Sequence, residues 1–304
     1  MRKWFSDLFN SVLRILAKTH LLGPGPVAKL KYYQMLHRWP DLKHPKDLNE
    51  KINWLKFNGD TSMWPMLADK YAVRSYVRDK GLGDTLTKLL GKWERPEDID
   101  WENLPEAFVL KLNNGSGDVV VCKNKSELDI PATVAHFSKL MKIRCGFETS
   151  ELHYTKIKPL VIAEELLDSS TQPAGSSSLV DYKFWCFDGE PYSVWACYGR
   201  TPSEVYVNLY DLEWNVHPEV SVFTGHYKDG KGAIPRPESL PRMLEIASAL
   251  SKGHPQMRVD LYEVDGKVYF GELTLTSAGG YMKYFTQDYL IEMGNKVKLP
   301  SGNI

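Results

Sequence analysis

The segment 258–276 constrains the fold of this chain more than any other stretch. Two arms of alternating β-branched, aromatic and charged residues flank the dipeptide Asp265-Gly266. Such arms around an Asp-Gly pair are the usual signature of a β-hairpin with a tight turn. The sequence therefore predicts an antiparallel hairpin, in which the length of the turn decides how the two arms pair.

The turn of this hairpin can close in two ways. A two-residue turn would pair Val264 with Lys267. A three-residue loop over residues 264–266, with Gly266 in the left-handed conformation, would pair Glu263 with Lys267. Because side chains alternate between the two faces of a sheet, these pairings differ in which residues share a face. We predict the three-residue loop.

The three-residue loop gives the hairpin one chemical face and one apolar face. Arg258 then lies directly opposite Glu272, and Asp260 and Thr274 share their face. The two-residue turn would instead place Asp260 and Glu272 on opposite faces. The apolar face of the preferred register consists of Val259, Leu261, Tyr269, Leu273 and Leu275.

The chemical face is rich in oxygen ligands. Two carboxylates and a hydroxyl beside an arginine suit a hard divalent cation such as Mg²⁺, and the arginine could hold a phosphate or a developing oxyanion. The competing interpretation is an ordinary Arg–Glu cross-strand pair on a solvated sheet face. The hairpin alone leaves both interpretations open.

The composition limits the classes of protein to which the chain can belong. The 38 basic and 38 acidic residues give a formal net charge of zero, which argues against a nucleic-acid-binding surface. No run of 18 apolar residues is present, so we expect no membrane span. The cysteines show no zinc-binding spacing, which suits a reducing cytoplasm; they are Cys122, Cys145, Cys186 and Cys197.

An amphipathic helical pattern covers residues 2–20. Its apolar stripe consists of Trp4, Phe5, Leu8, Phe9, Val12, Leu13 and Leu16. A basic helix that carries Trp and Phe could lie on a membrane surface, which would place the protein at the inner face of the membrane. We favour the alternative, in which the stripe packs on the rest of the protein or on a partner.

Further helices are predicted downstream of this segment. Asp47 is a plausible N-cap, and Glu50 completes the pattern of a capping box. The predicted helical segments are residues 28–38, 47–56, 64–80, 240–251 and 286–294.

A strand, a Gly-rich loop and a second strand are predicted over residues 107–123. The loop, residues 113–118, offers flexible backbone N–H groups and the Ser116 hydroxyl, which are groups that bind phosphate oxygens. Lys111 on the incoming strand adds a positive charge. The loop lacks the Gly-Lys-Ser/Thr of a Walker P-loop. Taken by itself, it is better explained as an ordinary tight hairpin.

Two more strands carry charged residues that could belong to a site. Residues 160–167 form a buried strand that ends in Glu164-Glu165, where a carboxylate or backbone group could contact an adenine or a ribose. Taken by itself, the pair is better explained as the end of a strand that runs into solvent. Residues 181–188 alternate and place Lys183 among large aromatic side chains. A lysine in that setting either extends its charge to solvent or holds an anion.

The order of these motifs resembles the ATP-grasp superfamily, and more narrowly the TupA-like ATP-grasp family, named for teichuronopeptide biosynthesis in bacteria. The segments that carry the resemblance are NEKINWLK, LADKYAVRSYV, FVLKLNNGSG, DYKFWCFDG and RVDLY followed by GKVYFGELTLT. The resemblance covers roughly residues 46–288. The resemblance implies an α+β fold in which two lobes with antiparallel sheets grip ATP. We expect an N-terminal helical extension at 1–60 and lobes at 61–168 and 169–304.

The same resemblance implies roles for individual residues. Lys70 and Lys111 would hold the α- and β-phosphates. Lys183 would face the γ-phosphate or the substrate, and Arg258 would stabilise the acyl-phosphate and the tetrahedral species. The implied magnesium ligands are Asp260, Glu272 and Thr274. The implied ATP contacts, which include the flap over the triphosphate and the adenine pocket, are Lys70, Lys111, Asn114, Gly115, Ser116, Gly117, Glu164, Glu165 and Leu167.

The chain departs from the family pattern at three positions. Thr274 stands where many ATP-grasp enzymes have Asn, although a hydroxyl still offers an oxygen ligand. Asn114 stands where the TupA-like family often has His. Asp118 stands where it often has another Gly, and an acidic group there would repel a triphosphate unless a cation compensates.

The resemblance implies an ATP- and Mg²⁺-dependent carboxylate–amine ligase that works through an acyl-phosphate. The expected substrates are a small or lipid-linked saccharide, such as a uronic acid of a cell-surface polysaccharide, and an amine donor. The aromatic residues of the later strands could stack on sugar rings, but most are better explained as core. Those residues are Trp185, Tyr192, Trp195, Tyr198, Tyr206, Tyr210 and Trp214.

Three other functions remain open at this point. A glycosyltransferase is one, although the sole Asp-x-Asp motif, Asp98-Ile99-Asp100, is better explained as helix-capping residues. A sugar or lipid kinase could use the same ATP site. A non-catalytic nucleotide sensor or scaffold anchored by the N-terminal helix is the third.

Overall fold

The computed structural model describes residues 2–19, 21–115, 119–143 and 145–300. The α-helices are α1 (Arg2–Lys18), α2 (Pro24–Leu36), α3 (Leu48–Asn58), α4 (Trp64–Ala68), α5 (Val73–Asp79), α6 (Ile130–Leu140), α7 (Leu240–Ser251) and α8 (Gln287–Lys296). The strands are β1 (Leu89–Trp93), β2 (Phe108–Leu112), β3 (Val119–Cys122), β4 (Val161–Glu165), β5 (Asp181–Phe187), β6 (Glu190–Tyr198), β7 (Val205–Tyr210), β8 (Tyr227–Asp229), β9 (Met257–Val264) and β10 (Lys267–Thr274).

Within the described residues the strands form two sheets. The small sheet has the order β1-β4-β2-β3, and all of its neighbouring strands are antiparallel. The large sheet has the order β10-β9-β5-β6-β7-β8 and is antiparallel except for the β7–β8 pair. The predicted strand–loop–strand unit is confirmed, because β2 and β3 pair directly.

Each sheet buries one face in its own hydrophobic core. Phe137 of α6 packs with Phe108 and Leu110 behind the small sheet. Ile246 and Leu250 of α7 pack with the core face of the large sheet. The large core also takes in α4 and α5, which precede the small sheet in the chain. The lobe boundaries expected from the sequence remain a prediction.

The helix predicted over residues 64–80 is wrong, since two short helices, α4 and α5, replace it. Asp69 interrupts the helical path, and its Oδ1 accepts hydrogen bonds from the backbone N–H groups of Tyr71 and Ala72, at 2.8 and 3.1 Å. An aspartate that bonds the backbone two residues ahead favours a turn over a continuing helix. The break places Lys70 at a corner of the chain, where its side chain is 17% exposed.

The N-cap predicted for α3 is confirmed, and the predicted capping box forms only in part. The Glu50 N–H donates to Oδ1 of Asp47 at 2.9 Å. The Glu50 carboxylate accepts from the backbone N–H of Lys46 at 2.9 Å rather than from that of Asp47.

No helix within the described residues is long and apolar enough to cross a membrane.

The three-residue loop predicted for the β9–β10 hairpin is wrong. Lys267 pairs with Val264, so the turn contains only Asp265 and Gly266, with φ angles of 50° and 74°. Positive φ at both central residues is the requirement of a type I′ turn, which matches the twist of the flanking strands. Glu263 therefore pairs with Val268 rather than with Lys267.

A β-bulge at Gly271 nevertheless places the two carboxylates on one face. Phe270 pairs with Leu261, but Glu272 pairs with Asp260, so β10 carries one extra residue between the two pairs. One extra residue reverses the alternation of side chains beyond it.

The bulge changes two further details of the predicted register. Thr274, rather than Glu272, lies opposite Arg258. Tyr269 pairs with Tyr262 and so shares the face of Asp260, which corrects its predicted place on the apolar face.

Gly271 is required where the bulge brings the backbones close together. A Cβ atom added there would lie 2.9 Å from the carbonyl oxygen of Asp260 and 3.0 Å from the ring of Tyr262. We expect Gly271→Ala to lower the free energy of unfolding by about 1–3 kcal/mol, because the contact forces the strands apart. Urea unfolding measures the loss.

Gly225→Ala is the matched control, because a Cβ at Gly225 meets nothing within 4 Å. The two variants should differ by the cost of the clash. Equal stability of the two proteins would contradict the close packing that we describe at the bulge.

Candidate active site

Asp260 is the centre of an ion-pair network on the chemical face of the large sheet. Its carboxylate accepts from Nε and Nη2 of Arg258 at 2.7 Å each, and from Nζ of Lys183 at 2.6 Å. Lys183 on β5 pairs directly with Asp260 on β9. Only 1% of Asp260 is exposed, so these cations compensate a buried charge.

Asp181 joins this network and was missed by the sequence analysis. Its carboxylate accepts a hydrogen bond from Lys183 Nζ. Burial raises the pKa of Asp181. Burial also acts against the charge of Asp260, but Arg258 and Lys183 outweigh it and lower the pKa of Asp260. The Asp-x-Lys alternation of β5 was the available signal, since it places both side chains on one face.

Glu272 and Thr274 extend the network at the edge of the large sheet. Nη2 of Arg258 lies 3.1 Å from Oε1 of Glu272, and the Thr274 hydroxyl is 3.4 Å from the same oxygen. Nζ of Lys70 lies 3.8 Å from Oε2 of Glu272. The Glu272 side chain is 37% exposed, in contrast to Asp260.

These oxygens fit a metal ion in part. Within the described ranges, no group of three or more His, Cys, Asp or Glu side chains is arranged to hold a metal. Glu272 and Thr274 offer accessible oxygens that suit a Mg²⁺ sharing its remaining ligands with phosphate and water. Both oxygens of Asp260 are engaged by Arg258 and Lys183 in this conformation. The three metal assignments stay predictions.

A second ion-pair network lies on the small sheet and centres on Glu164. Nζ of Lys111 is 2.6 Å from its Oε2, and Nη1 of Arg74 is 3.1 Å from its Oε1. Arg74 comes from α5 and also donates to the carbonyl of Thr87 at 2.5 Å. No local pattern pointed to Arg74 as a partner of Glu164, because the two residues are 90 positions apart.

Lys70 connects the Gly-rich loop with the network on the large sheet. Its Nζ donates to the carbonyl of Gly115 in the Gly-rich loop and lies near Glu272 of the large sheet. Its backbone N–H donates to the carbonyl of Asn113 at 2.9 Å, and the Asn113 side chain donates to Asp69 at 2.9 Å. The break between α4 and α5 thereby holds Lys70 beside the start of the Gly-rich loop.

The remaining predicted ATP contacts are placed as follows. Asn114 is buried, with 6% of its surface exposed. Ser116 and Gly117, predicted for the flap, lie outside the described residues, as does Asp118. Oε1 of Glu165 accepts from the backbone N–H of Lys88 at 2.6 Å. Leu167 is half-buried just beyond the end of β4. The adenine-binding roles stay predictions.

A short 3₁₀ turn at Ser277–Gly280 follows the chemical face, and side chains of α3 fix it in place. Nδ2 of Asn53 donates to the Gly280 carbonyl at 2.8 Å, and Nζ of Lys56 donates to the Gly279 carbonyl at 2.5 Å. Burial lowers the pKa of Lys56 to about 8. The NEKINWLK motif thus holds the turn that leaves β10.

Most aromatic residues of the later strands lie in the core, as we favoured. The buried ones are Trp185, Trp195, Tyr198 and Tyr210, whereas Tyr206 is 38% exposed. Ile99, between the two acids of the Asp-x-Asp motif, packs in the core behind the small sheet. Asp100 accepts from Asn103 at 2.7 Å, which fits a turn-stabilising role.

His153 makes the stability of this region depend on pH. The ring is 6% exposed and packs edge-on against Trp64, with centroids 5.4 Å apart. Burial, with the charges of Lys56 and Lys156, lowers the pKa of His153 to about 3. Between the unfolded value near 6.5 and this folded value, only the unfolded chain takes up the proton.

Stability should therefore fall as the pH drops below about 6.5. Each pH unit corresponds to about 1.4 kcal/mol, so lowering the pH from 6.5 to 5 should cost about 2 kcal/mol through His153. Urea unfolding of wild type and His153→Phe at both pH values measures how much of the pH dependence of the unfolding free energy is due to His153. His44→Phe, at an exposed site, is the control, and an unchanged pH dependence in His153→Phe would contradict the assignment.

Two sheets, each with a lysine–carboxylate network, agree with the ATP-grasp class, which a match to a family model shows for this chain. The chain belongs to the TupA-like ATPgrasp family, whose model matches residues 50–298. This match confirms the predicted family and the predicted α+β ATP-grasp fold. The helices α1 and α2 lie before the matched region.

Several solved structures resemble the chain at low identity. The D-alanine–D-alanine ligase from Bacillus anthracis complexed with ATP is 14% identical, with 76% of this chain and 65% of that chain covered and a TM-score of 0.42. The D-alanine–D-alanine ligase from Helicobacter pylori is 14% identical, with 84% and 67% covered and a TM-score of 0.45.

A third structure, the L-amino acid ligase from Bacillus licheniformis, is 14% identical, with 90% of this chain and 56% of that chain covered and a TM-score of 0.42. The chain thus spans between about half and two thirds of the length of these ligases. A comparison with curated proteins found no match.

Proposed function

We propose that this protein is an ATP- and Mg²⁺-dependent carboxylate–amine ligase. The observation that carries the proposal is the position of Lys70, which lies between the Gly115 carbonyl of the small sheet and Glu272 of the large sheet. A lysine held at that junction can contact a phosphate that both sheets enclose. Membership of the TupA-like ATPgrasp family supports the same site.

The charges around this junction suit a polyphosphate. Within the described residues, the two networks bring together five cationic side chains and four carboxylates. The cations are Lys70, Arg74, Lys111, Lys183 and Arg258, and the acids are Glu164, Asp181, Asp260 and Glu272. Positioning and neutralisation of charge are most of what phosphoryl transfer asks of a protein.

Arg258 is the side chain best placed to stabilise negative charge as the reaction proceeds. Asp260 fixes the guanidinium through Nε and Nη2. In the part of the chain that the structure describes, Nη1 has no hydrogen-bond acceptor, so it remains available for an anionic oxygen. A donor held in advance of the reaction is worth more than one that must reorganise.

In the proposed first step, a substrate carboxylate oxygen attacks the γ-phosphorus of ATP. The bond from that phosphorus to the β–γ bridging oxygen breaks, which gives an acyl-phosphate and ADP. Lys70 and Lys111 hold the phosphates, and Arg258 neutralises the charge on the transferred group. Lys183, held between two carboxylates, supports the position of Asp260 and Arg258.

In the second step, an amine attacks the acyl carbon, the carbon–oxygen bond to phosphate breaks, and the amine loses a proton to solvent. The products are an amide and inorganic phosphate. Glu272 and Thr274 would hold Mg²⁺, which when bound neutralises phosphate charge. No step needs a covalent enzyme nucleophile.

For the substrates we propose a uronic acid of a cell-surface polysaccharide or its lipid-linked precursor, together with an amino acid or amino sugar. The resemblance to a family named for teichuronopeptide biosynthesis supports this choice. Glucuronic and galacturonic acid are therefore the first carboxylates to assay.

Hydroxylamine trapping tests the proposed reaction. With Mg²⁺-ATP, a uronic acid and hydroxylamine, we expect ADP, phosphate and a hydroxamate in equal amounts. Glu272→Gln should lower the rate about 100-fold or more, because it removes a charge that orients Arg258 and Lys70. Glu245→Gln on the exposed side of α7 is the control and should retain the wild-type rate.

The outcomes separate the competing functions. A stable phosphorylated sugar without hydroxamate would indicate a kinase. Release of UDP from a nucleotide sugar without consumption of ATP would indicate a glycosyltransferase. Turnover by Glu272→Gln near the wild-type rate would show that the site assignment is wrong.

A further inference from the structure

The helix α1 is attached to the body of the protein through one face. Leu13 is buried there, with 2% of its surface exposed. Nη2 of Arg14 lies 2.5 Å from the carboxylate of Glu148, and Oδ1 of Asn10 accepts from Nζ of Lys31 at 2.6 Å. The orientation of the helix is therefore fixed by contacts on this inner face.

The opposite face of α1 is apolar and exposed. Leu8, Val12 and Ile15 are 47%, 46% and 59% exposed. Their spacing of four and three residues places them in a row along one side of the helix. A surface helix normally turns a polar face to water. Here the inner face carries an ion pair and a hydrogen bond beside Leu13, while the outer face presents a row of aliphatic side chains, so the outer row needs a separate explanation.

The helix α1 is also more positively charged than the chain as a whole. The helix contains four basic residues and one acidic residue, Asp7, a formal charge of +3. The whole chain has 38 basic and 38 acidic residues and is formally neutral. An excess of basic residues on an apolar helix is typical of segments that lie in the headgroup region of an anionic bilayer.

A second copy of the chain is a poorer occupant of this face. Two-fold association would bring the same basic helix against itself, so that like charges would face each other. Stable interfaces also bury about 800 Å² on each partner, and a row of three half-exposed aliphatic side chains offers far less. A bilayer needs no such area and complements the charge.

We propose that the outer face of α1, formed by Leu8, Val12 and Ile15, docks on an anionic membrane surface. The positive charge of the helix is attracted to lipid phosphates, with Arg14 kept in its ion pair with Glu148, while the three aliphatic side chains enter the acyl boundary. This proposal is independent of the ligase activity.

Flotation with vesicles tests the proposal. The full-length protein is mixed with vesicles of phosphatidylcholine containing 30–40% phosphatidylglycerol (about the level that gives a strong negative surface potential). We expect binding to these vesicles, weaker binding to phosphatidylcholine alone, and release by high salt. Leu8→Gln with Ile15→Gln should lower the partition coefficient about tenfold or more, since it removes the aliphatic contact.

Met63→Gln with Val216→Gln is the matched control, because these side chains are exposed to a similar extent elsewhere, at 45% and 39%. It should bind as wild type does. Equal thermal stability of all three proteins shows that the changes act on docking rather than on folding.

Two results would overturn the proposal. One is failure of the wild-type protein to float with anionic vesicles at low salt. The other is a dimer, seen by analytical ultracentrifugation, that Leu8→Gln with Ile15→Gln abolishes, since it would make the face an interface between copies. ATP turnover measured in parallel separates these outcomes from failure of the proposed function.

Discussion

The buried ion pair of Asp260 with Arg258 and Lys183 is the interaction on which the site depends. The Asp260 carboxylate is only 1% exposed, and its buried charge is compensated by Arg258 and Lys183. The carboxylate in turn fixes the orientation of these two cations. Removing one partner of such a group leaves the others charged and buried, which typically costs about 3–5 kcal/mol. The chemistry and the stability of this face therefore cannot be separated.

The two-residue turn and the bulge of the β9–β10 hairpin have opposite effects on the face that Glu272 occupies. The turn at Asp265-Gly266 is one residue shorter than we predicted, which by itself would send Glu272 to the core face. The bulge at Gly271 restores it. Arg258, Asp260 and Glu272 therefore share a face as predicted, although the predicted pairing was wrong. A bulge leaves little local signal, because its only mark here is a glycine between Phe270 and Glu272.

What the sequence could predict was local, and what it missed was tertiary. The alternation of β5, the N-cap at Asp47 and the whole of α7 follow from patterns within a few residues. The break at Asp69 has a local cause in its bonds to Tyr71 and Ala72, but the contact with Asn113 that fixes its place in the fold spans 44 positions. The ion pair of Arg74 with Glu164 could not be predicted either, since no local pattern around an arginine on a short helix indicates its distant partner.

In both networks a carboxylate holds cationic side chains in position, which the separate sequence motifs do not show. Glu164 engages Lys111 and Arg74, while Glu272 engages Arg258 and approaches Lys70. The carboxylates therefore hold the long cationic side chains in place before any anion arrives, which reduces the entropy lost on binding. A triphosphate that enters between the sheets would compete for cations that are already oriented. The acidic residues then matter as much for the geometry of the lysines as for any metal that they bind.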